Sequence, residues 1–348
     1  MKFPIDVGMH PIFKFREEPT EGILSLLESV TLGTDGAHYR HLDTRERISE
    51  ADNPLFLSME RHEKVLGNVT FCRREKNWYI RYFAFDQAMQ AQGIRKSSSN
   101  GLLKRELQGF FDQQLKSGEV EAFYAYIDPR NVKSLWMSEN FGFTSIAKIA
   151  TQTFSSVRKP TLGRVKKQVE PKDLPEEVIN HFQNQGFFFD DQLKKGPHFS
   201  IKDKEGKLLA FAKTTSASWE IKRLPGKMGG FLVKLLPFIP VLNRLIHPKH
   251  HSFIVPEAVY VKNNDPTLLH ELFEGVLAHE NQRVIMWWID ENDALYHSVK
   301  SDFNWGLLDK LIGVNYAHLV TLSRKERLSY EADEDQVIAN YTSGFDFV

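Results

Sequence analysis

The chain has 348 residues, 41% of them apolar and 26% charged, with 45 lysines and arginines balanced by 45 aspartates and glutamates. This length favours about two domains, and the apolar share supplies full hydrophobic cores, which excludes a disordered or fibrous chain. Zero net charge argues against a protein whose work is generic binding to nucleic acid or anionic membrane, and the lone Cys72 excludes an internal disulfide or a thiolate metal site.

The first residues, MKFPIDVGMHPIFKF, lack the long apolar core of a signal peptide, so a soluble cytoplasmic protein is expected. Residues 12–16 read as a strand and 19–30 as a helix opened by Pro19 and Thr20, with Ile23, Leu24, Leu26 and Leu27 on one face. Residues 55–60 and 64–73 form a hairpin pattern around Arg61-His62-Glu63, and the aromatic 78–85 stretch is a β-prone central strand. After a polar loop, Leu102, Leu103, Leu107, Phe110, Phe111 and Leu115 recur at helical spacing. A strand at 120–127, a helix at 131–140 closed by Phe141-Gly142-Phe143, and a strand at 145–154 complete the order β-α-β-β-β-α-β-α-β. The basic stretch 159–173, with Pro160 and Pro171, suits a crossover between domains at 1–156 and 157–348.

The second half repeats the first in outline. A helix is expected at 174–183 and a hairpin at 198–201 with 207–215. YAYIDPRNVKSLWMSENFGF, from Tyr124 to Phe143, aligns without a gap with MWWIDENDALYHSVKSDFNW, from Met286 to Trp305. Ile127 and Asp128 fall on Ile289 and Asp290, and strand, turn, helix and aromatic closure coincide, which points to an internal duplication. An apolar insertion lies around 226–252. Its core, 228–246, is interrupted by Lys234, Arg244, Pro237 and Pro240, so it reads as one or two short helices over a core or groove rather than a membrane span. An apolar ligand channel and a peripheral membrane contact are the other readings.

Strand, polar loop, helix, strand, then Asn131-x-x-Ser134-x-x-Met137-x-Glu139-x-Phe141-Gly142-Phe143 resembles the GNAT superfamily of acyl-CoA-dependent N-acyltransferases. The resemblance covers roughly residues 55–154 well and the second half in outline. It implies an α/β fold: two GNAT-like domains, each a mixed, mostly antiparallel sheet with a splayed central pair of parallel strands flanked by helices. The pantetheine arm of acetyl-CoA, or another acyl-CoA, would lie between the strands at 78–85 and 120–127, near Phe83 and Phe85. Its pyrophosphate would sit on the N-terminus of the next helix, where free N–H groups and the helix dipole favour an anion.

The family's Gln/Arg-x-x-Gly-x-Gly/Ala pattern is not kept there. Arg95, Lys96, Ser97, Ser98, Ser99, Asn100 and Gly101 supply small, hydroxyl-bearing and cationic residues instead, and these read either as a phosphate cradle or as a polar loop with a serine N-cap. Ser138 stands where many members carry the tyrosine that protonates the departing thiolate, and a serine hydroxyl is a much poorer acid than a phenol. Asn131 either meets the cofactor arm or caps its helix. Asp86 and Asp128, with Glu60 behind them, are candidate general bases or ordinary loop carboxylates.

The second repeat starts its equivalent helix with Asp265 and Pro266, a sound cap but a poor phosphate site, so that domain is expected to be degenerate. His247, His250 and His251 lack the partners for a metal site, Cys72 reads as structural, and no metal is expected. The expected activity is transfer of an acyl group, acetyl on family frequency, to a small-molecule amine or peptide acceptor by direct attack in a ternary complex. Nucleic acid and a membrane span are not expected, and the oligomeric state is left open. The alternatives are a non-catalytic acyl-CoA-binding module and an aminoacyl or long-chain acyl transferase of tandem architecture.

Overall fold

The structure is a computed structural model that describes residues 9–33, 36–86, 101–169, 173–224, 228–324 and 338–348. In the first half, strand β1 (Phe13–Arg16) precedes helix α1 (Glu21–Ser29), which is capped by Thr20 accepting from the Ile23 amide. Strand β2 (His38–His41) and helix α2 (Thr44–Ser49) follow, and neither was expected. Next come strands β3 (Pro54–Arg61), β4 (Lys64–Arg74) and β5 (Asn77–Phe85), helix α3 (Leu102–Ser117), strand β6 (Ala122–Ile127), helix α4 (Val132–Asn140) and strand β7 (Thr144–Ser155).

The second half adds strand β8 (Lys166–Gln168), helix α5 (Glu176–Phe182), and strands β9 (His198–Lys202) and β10 (Leu208–Arg223). Helices α6 (Gly229–Leu235) and α7 (Pro240–Asn243) are joined by a 3-10 turn. Strand β11 (His251–Val261), helix α8 (Pro266–His279), strand β12 (Val284–Asp290), helices α9 (Ala294–Val299) and α10 (Leu307–Ile312), and strand β13 (Asn315–Ser323) complete it. Strand β10 runs eight residues beyond the expected end at Thr215, because its far end pairs with β2, Trp219 facing His41.

All strands join one sheet in the order β1-β3-β4-β5-β6-β13-β7-β12-β11-β10-β9-β8, with β2 also on β10. Two neighbouring pairs are parallel, β5 with β6 and β11 with β12; the others are antiparallel. Strand β13 lies between β6 and β7, so the two halves share strands rather than meeting across a seam.

Each half covers its parallel pair with a long amphipathic helix. Helix α3 buries Leu107, Phe110, Phe111 and Leu115 against Phe71, Trp78 and Phe123, with ring centroids 4.8 to 6.3 Å apart. Each such ring contributes about 1.5–3 kcal/mol by burial. Helix α8 does the same with Leu269, Leu272, Phe273 and Val276. Its Gly275 is required by close approach, since a Cβ there would stand 2.3 Å from Val165. The turn at Phe141-Gly142-Phe143 closes α4 with Gly142 at φ +87°, a left-handed conformation that glycine tolerates.

The apolar insertion forms the short helices expected of it. Leu236, Leu245 and Ile246 face inward, while Met228, Phe231 and Phe238 are exposed. No helix among the described residues is long and apolar enough to cross a membrane. Trp287 and Trp288 of β12 are both buried.

Candidate active site

Strands β5 and β6 hold each other through only three residue pairs, Asn77 with Ala122, Trp78 with Phe123, and Tyr79 with Tyr124. Beyond Tyr79 they part. A bulge marks the place: Phe71 of β4 faces Ile80 and Thr70 faces Tyr82, so Arg81 is an extra residue on β5. A bulge bends its strand and sharpens its twist, which carries β5 away from β6 while it stays paired to β4. Among the described residues no further pair joins β5 to β6 past this point, and buried backbone donors and acceptors need partners.

A cavity of about 480 Å³ opens at this divergence. Phe83 of β5, Tyr126 of β6, Asn131 and Ser138 of the α4 segment, and Met286 and Trp288 of β12 all line it. Its volume lies in the range of small-molecule sites, and its walls are mostly apolar with a few polar groups.

The structure brings some of the expected residues together and separates others. Ser138 lines the cavity, and its hydroxyl donates to the Leu135 carbonyl at 2.8 Å. Asn131 also lines it and caps α4, accepting from the Ser134 amide at 3.1 Å. Asp128 is at the rim, clamped by Arg130 through contacts of 2.8 to 3.2 Å. Asp86 is outside the lining and ion-paired with Lys64 at 2.8 Å. Phe83 faces the cavity, whereas Phe85 packs on Phe83 at 5.1 Å and over Gly67. Gly101 is the N-cap of α3, whose first turn has no acidic residue. Arg95, Lys96, Ser97, Ser98, Ser99 and Asn100 lie outside the described residues. Cys72 is buried and its thiol is pushed up to about 11 by that burial, in keeping with a structural role.

Three features of the site were not read from the sequence. His41, on β2, lines the cavity with both ring nitrogens shielded and without hydrogen-bond partners, and burial lowers its pKa to about 3. It stacks on Trp219 with ring planes 6° apart. The second feature is the segment 338–348, which places Asp346, Phe347 and Val348 in the cavity wall. The third is the pair of buried arginines that grip that segment. Arg74 binds the Asp346 carboxylate at 2.6 and 2.9 Å, and also reaches Asp52 at 3.1 Å and the Tyr124 hydroxyl at 2.8 Å. Arg81 donates to the Phe345 carbonyl at 2.7 Å and to a Val348 oxygen. One signal was present: two arginines inside apolar strands must find partners when buried.

The second half repeats the divergence and closes it. Strands β11 and β12 share one pair, Ile254 with Ile285, and β11 bulges next to Ala258, which takes φ +49°. The segment 338–348 spans the opening. Asn340 donates its backbone and side-chain N–H groups to Asp290 of β12, at 2.8 and 2.9 Å. Ser343 and the Gly344 amide donate to Glu257 of β11, each at 2.9 Å. Glu257 is held ionised by Lys213 beside it despite burial. At the start of α8, Asp265 accepts from the Thr267 amide at 2.8 Å and Pro266 occupies the first turn. No group of three or more metal-ligating side chains occurs among the described residues.

No family model and no curated protein matches the chain. Solved structures do. A structure of Saccharomyces cerevisiae N-myristoyltransferase with bound myristoyl-CoA is 9% identical, covering 90% of this chain and 79% of its own, with a TM-score of 0.53. A second, with myristoyl-CoA and inhibitors, is 11% identical over 90% and 81% of the two chains, at 0.52. A GCN5-related N-acetyltransferase from Sphaerobacter thermophilus is 11% identical over 90% and 96%, at 0.47. With two bulged, splayed parallel pairs in one mixed sheet, each followed by the strand-turn-helix repeat, this chain shares the fold of the N-myristoyltransferase structures.

Proposed function

We propose that the protein is an acyl-CoA-dependent N-acyltransferase whose cofactor lies in the opening between β5 and β6. The observation that carries this reading is the divergence of β5 from β6 after Tyr79, which opens on a largely apolar cavity. A pantetheine arm carries amides that can complete those edges as a third strand would. Myristoyl-CoA bound to a protein of similar fold supports an acyl-CoA as the ligand.

In this reading residues 1–156 carry the acyl-CoA site and 157–348 shape the acceptor side. The pyrophosphate is assigned to Gly101, the N-cap of α3, and to the stretch from Arg95 to Asn100 that precedes it in the sequence, whose two cations and hydroxyl groups suit phosphate. Phe83 and Asn131 flank the arm. The amine lone pair attacks the thioester carbonyl, and backbone N–H groups past the Arg81 bulge stabilise the oxyanion. The tetrahedral adduct collapses to the amide and expels the thiolate.

Protons must leave the amine and reach the sulfur. Ser138 gives its hydrogen to Leu135, so Tyr126 takes the role of acid in this proposal. On the amine side Asp128 stands at the rim as a carboxylate for the incoming ammonium, while His41, whose pKa burial lowers to about 3, serves as a hydrogen-bond acceptor in the wall and not as the base. Asp86 is the more distant candidate, held by Lys64.

A series of acyl-CoAs from acetyl to myristoyl tests the reading by thermal shift, since a ligand of the folded state raises the melting temperature. Stabilisation by one of them, followed by free-thiol release on adding amines or N-terminal peptides, is the expected result. No shift across the series sinks the proposal. Cofactor stabilisation without thiol release favours a binding module. Response to the long chains alone favours the long-chain transferase, which the apolar wall formed by Met286, Trp288 and Ile246 supports. Replacing Arg95 and Lys96 together by Glu is expected to weaken CoA at least tenfold and leave the fold intact.

A further inference from the structure

The insertion carrying α6 and α7 has two faces. Leu236, Leu245 and Ile246 are buried, and Ile246 forms part of the cavity wall. The other face shows Met228, Phe231, Leu235, Phe238, Ile239 and Val241 to solvent, with Phe238 80% exposed. These six, within fourteen residues, are a large share of the exposed bulky apolar side chains among the described residues. Scattered single residues need no explanation, but such a cluster does.

Charge decides what covers it. From residue 221 to 256 the sequence has no aspartate or glutamate, while it holds Lys222, Arg223, Lys227, Lys234, Arg244 and Lys249. Lys222 is paired with Glu220, and in a chain that is neutral as a whole Lys234, Arg244 and Lys249 remain as a local concentration of positive charge beside the apolar patch. Lys234, Arg244, Lys249, His247 and His250 are exposed. A second copy of the chain docked here by two-fold symmetry would set cation against cation with no carboxylate from this segment to pair them. A surface with an apolar interior and an anionic boundary satisfies both features at once.

We propose that the 228–246 insertion docks the protein onto anionic phospholipid bilayers, with Phe238, Phe231 and Ile239 entering the acyl boundary and Lys234 and Arg244 meeting the headgroups. The three short segments, broken at Pro237 and Pro240, lie in the interface and do not span it. The averaged charge that argued against membrane binding hides this segregation. The proposal does not depend on acyl transfer, and its test uses no CoA.

The full chain is floated with vesicles of neutral phosphatidylcholine, and with vesicles in which 30% of the lipid is phosphatidylglycerol. Binding to the anionic vesicles only, falling at least tenfold between 0.1 and 0.5 M salt, is expected. Phe238→Asp and the double substitution Lys234→Glu with Arg244→Glu should each lower it at least tenfold without shifting the melting temperature, because all three side chains are exposed. Trp emission from a Phe238→Trp variant, measured as the increment over wild type, should move to the blue on the anionic vesicles. Equal binding to both vesicle types, no binding to either, or unchanged binding of Phe238→Asp overturns the proposal. So does a wild-type dimer that Phe238→Asp converts to monomer with no vesicle binding by either.

Discussion

Between β5 and β6 three residue pairs hold before the strands part, and between β11 and β12 a single pair does. Both openings begin beside a bulge, and both are followed by a strand, a turn and a capped helix, with Asn131 and Asp293 in the matching cap positions. Their contents differ. The second opening is bridged by the chain's own residues, through Asn340 to Asp290 and Ser343 to Glu257, while the first leads into a cavity. A divergence in a sheet is therefore not itself a site: its edges need partners, and what supplies them decides the role of each half.

The segment 338–348 links the two openings, so breaking its grip should have the largest effect. Arg74→Ala would strand the buried Asp346 and Asp52 carboxylates and is expected to cost about 3–5 kcal/mol in urea unfolding. A loss below about 1 kcal/mol would show that the segment is not part of the cooperative core.

Filling the open divergence tests its role. Ala125→Trp places an indole in the cavity wall and should abolish acyl-CoA stabilisation, which for the native site would reach about 2.7 kcal/mol at a hundredfold excess over Kd. An undiminished ligand shift in that variant would move the cofactor elsewhere. In the closed divergence Gly344→Val should instead destabilise the free protein, because a Cβ at that position already stands 2.7 Å from Val255.

Two cavity-lining histidines make stability depend on pH. Burial lowers His41 to about 3 and His251 to about 4, against about 6.5 for a free imidazole. The unfolded chain takes up their protons first, so their contribution is full above pH 6.5 and declines as pH falls toward 4. Each histidine should steepen the loss by up to about 1.4 kcal/mol per pH unit in that window. Denaturant titrations at pH 7 and 5 on wild type and His41→Phe check this, and identical slopes would contradict it. The smallest effect is expected from Asp265→Ala, which removes a helix cap worth about 1 kcal/mol and should leave any acyl-CoA response unchanged.

Much of the site's frame was legible because it is local. The aromatic alternation of β5, the helical spacing of α3, and the turn through Asn131 to Phe143 are each set within about twenty residues. The duplicated strand-turn-helix was legible for the same reason. Strand β2 was not: of its four residues, His38 to His41, only Tyr39 is apolar, so there is no alternation to read, and their ladder partner is β10 in the other half. The Arg81 bulge left no mark in the alternation that a sequence reader could separate from an ordinary strand.

The sequence by itself determined the two α/β repeats and the sound cap at the start of α8, since periodicity and capping act between near neighbours, while the parallel pairs came as an implication of the family resemblance. Only the tertiary structure decided that β13 inserts between β6 and β7, that His41 reaches the cavity, and that residues 338–348 bridge one opening and line the other. Those outcomes depend on burying charges and backbone groups against partners far along the chain, Arg74 on Asp346 above all, and no local pattern encodes which distant group will satisfy them.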